Sequence, residues 1–105
     1  MGDDRVPFDL SAYLHRQKDF SERTFGPGHR TRELLVHLHK EIGEVEATPL
    51  DLDEWVDVVL LAFDGAMRAG FAPEDVIHAM KAKQELNETK TWPDWRTGSD
   101  GASRF

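Results

Sequence analysis

Residues 30–70 read RTRELLVHLHKEIGEVEATPLDLDEWVDVVLLAFDGAMRAG, and the punctuation of this stretch decides the fold. Apolar side chains recur at Leu34, Leu35, Leu38, Ile42 and Val45, the three-to-four spacing of a helix core stripe. The spacing predicts a helix from about Arg30 to Glu46, closed by Thr48-Pro49, because proline drives the residue before it out of the helical region. A second helix opens near Asp51, where acids suit the positive end of the helix dipole, and stops at Gly70. In that second helix Leu52, Trp55, Val56, Val59, Leu60, Phe63 and Met67 cover a broad sector, while Val58, Leu61 and Ala62 lie outside it. A helix apolar nearly all round is expected to be enclosed on most sides.

Outward from this hairpin the pattern repeats. Upstream, a helix starts after Asp9 or Ser11 and runs to about Thr24, with Leu10, Tyr13, Leu14, Gln17 and Phe20 on one side. Phe25-Gly26-Pro27-Gly28 ends it in a tight interhelical turn, with too few glycines at the wrong spacing for a phosphate-cradling loop. Downstream, Ala72-Pro73-Glu74-Asp75 opens a last helix that reaches about Lys90, and the tail from about 91 is irregular. No segment alternates apolar and polar residues over a strand's length. The expected architecture is all-α, a four-helix antiparallel bundle filling one domain over residues 1–105. So short a chain buries little surface in a single bundle, and a homo-oligomer, a dimer or tetramer, is expected.

Composition narrows the classes of function. The chain has no cysteine, which excludes disulfides, a thiolate zinc site and a cysteine nucleophile. Its formal charge of −7 repels the phosphate backbone of duplex nucleic acid. The acidic start Met1-Gly2-Asp3-Asp4 does not resemble a signal peptide, and the longest apolar run, Val58 to Phe63, is too short to cross a bilayer. A cytoplasmic protein with no membrane partner is the expectation.

Carboxylates stand out of place. Between Glu41 and Asp57 there are seven acids and no lysine or arginine. That density is self-repelling unless a cation sits among the groups. Glu41 follows His37 by four and precedes Glu44 by three, so the three share one face beside the core stripe. Glu54 and Asp57 likewise face one way on the next helix. Two such pairs on an antiparallel hairpin face one another, and four oxygen donors without a thiol favour Mg2+ or Mn2+ over zinc. No Glu-x-x-His pair supports a ferritin-type di-iron site, and Asp51-Leu52-Asp53 lacks the glycine and terminal glutamate of a calcium-binding EF-hand loop. On the last helix the inner stripe of Val76, Ala79 and Met80 continues as Lys83, Leu86, Asn87 and Lys90, turning cationic as it leaves the core. Either the helix runs out into solvent there, or these residues meet an anionic ligand held by metal.

The pattern Glu41-x-x-Glu44, Glu54-x-x-Asp57 and Lys83-x-x-x-Asn87-x-x-Lys90 resembles the all-α nucleoside triphosphate pyrophosphohydrolases of the MazG-like superfamily. Longer strings, among them Phe20-Ser21-Glu22-Arg23-Thr24-Phe25-Gly26-Pro27-Gly28 and Thr91-Trp92-Pro93-Asp94-Trp95-Arg96, are similar to the dATP/dGTP pyrophosphohydrolase (MazZ-like) family common in phages and prophages. The resemblance covers about residues 16–97. It implies hydrolysis of a purine deoxynucleoside triphosphate to monophosphate and pyrophosphate with Mg2+ or Mn2+, in the host cytoplasm if the chain is phage-encoded. By position, Glu41, Glu44, Glu54 and Asp57 are the implied metal ligands, and Lys83, Asn87 and Lys90 face phosphate or sugar. Two features depart from the pattern: the short gap between Glu44 and Glu54, and Lys90 where arginine is common, which keeps the charge and loses the bidentate fork.

The expected chemistry is in-line attack of water at the α-phosphorus, with Glu41 or Glu44 orienting or deprotonating the water and no covalent intermediate. Trp92 and Trp95 either stack on a purine or pin the tail against the bundle, and Arg96 reaches a phosphate. His37 hydrogen-bonds a ligand carboxylate or the substrate, or serves the bundle edge. The competing reading is a noncatalytic helical module, a nucleotide-binding or oligomerising adaptor on the same scaffold.

Overall fold

The computed structural model describes residues 7–96. These form four helices, α1 (Leu10–Phe25), α2 (Thr31–Ala47), α3 (Leu52–Arg68) and α4 (Pro73–Thr89), with no strand among the described residues. Their ends follow from local chemistry. Asp9 caps α1 by accepting the Ala12 N–H at 3.2 Å, and Asp51 caps α3 by accepting the Asp53 N–H at 3.0 Å. At the start of α4, Pro73 occupies the first turn and the Asp75 carboxylate accepts the Ala72 N–H at 3.0 Å. Gly70, with φ of +110°, donates its N–H to the Met67 carbonyl and turns the chain off the end of α3. Residues 91–96 are irregular, as expected, and the glycines of the tail, Gly98 and Gly101, lie outside the described residues.

Helix α3 is the common wall of the structure. Helix α2 packs against it alone, while α1 and α4 pack against α3 and against each other. The core sits at the three-way junction of α1, α3 and α4, where Leu14, Met67 and Val76 are buried and Leu10, Tyr13, Phe63, Ala66 and Ile77 close around them. A seam of another kind joins α2 to α3, with Val45 buried and Leu34 and Leu38 half-buried. Between α1 and α2, which do not touch, a cleft opens above α3.

The apolar pattern is distributed differently from the sequence expectation. Leu35 and Ile42, read as part of the α2 core stripe, are exposed, because α2 has one neighbour and only a narrow strip of it is covered. On α3 the broad sector splits in two. Phe63 and Met67 face the junction and Leu60 lines the cleft, but Leu52, Trp55, Val56 and Val59 stand exposed beyond the reach of α1 and α4. Val58 and Leu61, placed outside the sector, are half-buried, since they continue the side of α3 that carries Glu54 toward α2.

One buried charge ties the elements together. The Arg68 guanidinium, at the end of α3, donates from Nη2 to Ser21 Oγ at 2.8 Å and to the Ser21 carbonyl at 3.1 Å. From Nη1 it donates to the Gly28 carbonyl at 2.9 Å, and its Nε lies 3.4 Å from Asp64. A buried guanidinium is tolerated when most of its donors are bonded and a carboxylate sits beside it; here both terminal nitrogens donate, while Nε makes no hydrogen bond and faces Asp64 as a charge. This set of bonds fixes the α1–α2 turn, in which Gly26 and Gly28 take φ values of +90° and +99° that favour glycine.

The small core makes stability depend on few side chains. Leu14→Ala is expected to cost about 2–5 kcal/mol, read as a lowered urea midpoint at constant m-value. A loss well under 1 kcal/mol would mean that the junction is not the principal core.

Candidate functional site

The seam between α2 and α3 carries carboxylates where a bundle usually carries leucine. Glu41 is buried and Glu44 half-buried on α2, and Glu54 is half-buried on α3. Their carboxylate oxygens include one set lying within 4.8 Å of one another. Helical spacing is the cause: Glu41 and Glu44 are one turn apart on the side of α2 that meets α3, and Glu54 stands on the opposing side of the hairpin. No lysine or arginine forms an ion pair with any of the three among the described residues.

The electrostatic consequence is a raised affinity for protons. The Glu54 carboxyl is pushed up to about 7, first by a hydrogen bond with Glu44 that needs a proton held between the two groups, then by burial and the charges of Glu44 and Glu41. Glu41 is raised as well, chiefly by burial and then by Glu44. Glu41 Oε2 and Glu54 Oε2 are both buried without a hydrogen-bond partner. An acceptor-only set with two unpartnered buried oxygens, drawn from two helices, fits a hard divalent cation such as Mg2+ or Mn2+.

The fourth expected ligand, Asp57, is exposed and stands outside the close trio, but it shares a cleft with Glu41. This cleft, about 740 Å³, is walled by α1 and α2 and floored by α3. His37 also lines it, with Nε2 3.6 Å from Glu41 Oε1. At the far end Phe20 and Phe25 meet edge to face at 6.4 Å, and Arg16, Arg23 and Arg30 border the same space. Sequence reasoning missed this end. The segment around Phe25 reads as turn chemistry, and only the i, i+4, i+7, i+11 relation of Arg30, Leu34, His37 and Glu41 marks a face shared with the acids.

The α4 and tail residues do not line the acidic cleft. Lys83 and Lys90 are exposed, whereas Asn87 is buried with Oδ1 unpartnered. The Trp92 indole N–H donates to the Asn87 carbonyl at 2.6 Å, and Lys90 Nζ lies 5.6 Å from the centre of the Trp92 ring. Trp95 is exposed, with the Arg96 guanidinium 4.7 Å above it and Arg96 itself 3.4 Å from Asp94. Thus Trp92 is tied to α4 by its own hydrogen bond, and the described residues bring Glu41, Glu44, Glu54, Asp57 and His37 together while leaving Lys83, Asn87, Lys90, Trp92, Trp95 and Arg96 apart from them.

The raised Glu54 value has a thermodynamic sign. The folded chain holds this proton more tightly than the unfolded chain, so the associated stability is complete below the ordinary 4.5 and is lost as pH rises through about 7. In chelator-treated protein the melting temperature is expected to fall across that interval, and Glu54→Gln, uncharged at every pH, is expected to flatten the fall. Equal slopes for both proteins would contradict the proton-sharing arrangement.

Comparison with known proteins identifies the family. The sequence model of the dATP/dGTP pyrophosphohydrolase family matches residues 13–103. The dATP/dGTP diphosphohydrolase of Salmonella phage PMBT28 is 33% identical over 81 residues, 76% of this chain and 27% of that protein. The Eaa protein of Salmonella phage P22 is 38% identical over 52 residues, 50% of this chain and 16% of that protein. The chain therefore corresponds to about a quarter or less of the length of these curated relatives. No solved structure matches significantly. The chain belongs to the dATP/dGTP pyrophosphohydrolase family.

Proposed function

We propose that this family member hydrolyses purine deoxynucleoside triphosphates, dGTP and/or dATP, to the monophosphate and pyrophosphate. The observation that carries the reading is the close trio of Glu41, Glu44 and Glu54 opening beside a cleft large enough for a nucleotide. Glu41, Glu44, Glu54 and Asp57 would hold Mg2+ or Mn2+, which supplies charge neutralisation for the phosphates and acidifies water. The Glu41–Glu44 pair, one turn apart on α2, accepts the proton of the attacking water. A bond forms between the water oxygen and the α-phosphorus, and the bond from that phosphorus to the bridging oxygen breaks, so pyrophosphate leaves. His37 restrains the Glu41 carboxylate from the cleft side. Among the described residues Ser21 is the serine or threonine that lines the cleft, and its hydroxyl is held by Arg68 with no base beside it, which supports direct attack over a covalent route.

The reading extends to assembly and location. Leu52, Trp55, Val56 and Val59 form one exposed apolar face on α3, and Met80 and Leu86 are exposed on α4. Contiguous apolar faces of this kind are covered in stable proteins, and a second copy of the chain, as dimer or tetramer, is the proposed cover. The cell's deoxynucleotide pool places the activity in the cytoplasm, that of the host for a phage-encoded chain.

Two measurements test this. Incubation of the chain with each deoxynucleoside triphosphate and Mg2+ or Mn2+ is expected to release pyrophosphate from the purine substrates, and Glu44→Ala or Asp57→Ala is expected to lower turnover at least about a hundredfold with helix content retained. Orthophosphate release, or full activity in either variant, would contradict the site. Light scattering coupled to size exclusion is expected to return a dimer or tetramer, and Val59→Glu to weaken it. A native monomer would contradict the assembly.

A further inference from the structure

The aromatic end of the cleft has no role in the metal chemistry, yet it is built from side chains with defined relations to one another. Phe20 and Phe25 are both exposed there despite their size. Above Phe25 lies the Arg30 guanidinium, 5.5 Å from the ring centre. Arg30 Nη1 donates to the Phe25 carbonyl at 3.1 Å, which anchors one edge of the fork. Its other N–H groups have no acceptor among the described residues, and no carboxylate forms an ion pair with it, although Glu33 stands on the same helix at i+3. By contrast Arg23, on the same rim, is committed to Asp19 at 2.9 Å.

Position decides what such a group meets. Arg30, the residue that caps the start of α2, stands eleven residues before Glu41, about 16 Å of rise along the axis at 1.5 Å per residue. With the α-phosphorus at the acids, a nucleotide laid along the cleft has its base toward Arg30, where the exposed Phe20 and Phe25 rings suit a base and offer nothing to a phosphate. Aromatic faces stack on any purine. A guanidinium carries donors only, so it distinguishes a 6-oxopurine, which offers two neighbouring acceptors at O6 and N7, from a 6-aminopurine, which turns a donor toward it.

We propose that Arg30, held over Phe25, is a specificity-determining residue that reads the O6/N7 edge of the base and makes the cleft favour dGTP over dATP. The proposal rests on the pyrophosphohydrolase reading of the acidic centre and adds the base preference to it.

The test compares kcat/KM for dGTP, dITP and dATP with Mg2+ or Mn2+, using the 105-residue chain and its Arg30→Met and Arg30→Lys variants, each with native-like circular dichroism. The native chain is expected to prefer dGTP and dITP, which share O6 and N7, over dATP. Both variants are expected to lower the dGTP-to-dATP ratio about tenfold or more, because lysine keeps the charge and loses the fork. A native chain without this preference, an unchanged ratio in Arg30→Met, or a native ratio retained by Arg30→Lys would overturn the proposal while leaving the hydrolase reading intact. Failure of the native chain to cleave any deoxynucleoside triphosphate would overturn both.

Discussion

Three carboxylates held against one another across the α2–α3 seam set the terms for the rest of the molecule. Glu41, Glu44 and Glu54 come from two helices, are buried or half-buried, and have no lysine or arginine as an ion-pair partner among the described residues. Like charges at that separation persist in a folded protein only with a proton or a cation between them. The rise of Glu54 to about 7 is the proton solution, and it is a weak one at neutral pH. A divalent cation would be the stronger solution, and would turn a destabilising cluster into a reason for the hairpin to close.

The remainder of the fold serves to hold this hairpin beside an open cleft. Helix α2 touches α3 only, so the side of α2 that carries Arg30, His37 and Glu41 stays free to line a cavity. The α1–α3–α4 junction, centred on Leu14, keeps α1 at a distance across that cavity. The buried Arg68 spans both parts, joining the end of α3 to Ser21 on α1 and to Gly28 in the turn before α2. The cleft therefore has fixed walls although its two sides do not touch each other.

Much of this was legible in the residues. Pro and Gly at residues 26–28, 49, 70 and 73 mark the three breaks between the helices, and the expected boundaries agree with the structure to within a few residues. The acidic spacing was equally readable, because helical periodicity alone puts Glu41 with Glu44 and aims them at the next helix. What the pattern did not reveal is which apolar positions find neighbours. Leu35, Ile42, Trp55 and Val59 fit a core stripe as well as Leu34 or Leu60 do, and only the absence of α1 and α4 from their side leaves them exposed. Periodicity reports a face, not whether another element covers it. Arg68 and Arg30 escaped for a related reason: their partners are backbone carbonyls and an aromatic face supplied by distant or turn residues, and these leave no spacing signature.

A divalent cation entering the acidic trio would have to displace the proton held there, and the number of protons released on metal binding is the quantity to measure. Calorimetric titration of Mn2+ into the chain near pH 6, repeated in buffers of different ionisation enthalpy, counts the protons displaced. Saturable binding is expected, with release of about one proton that diminishes as pH rises above the Glu54 value of about 7. Binding with no proton release at pH 6, or no binding at all, would contradict it.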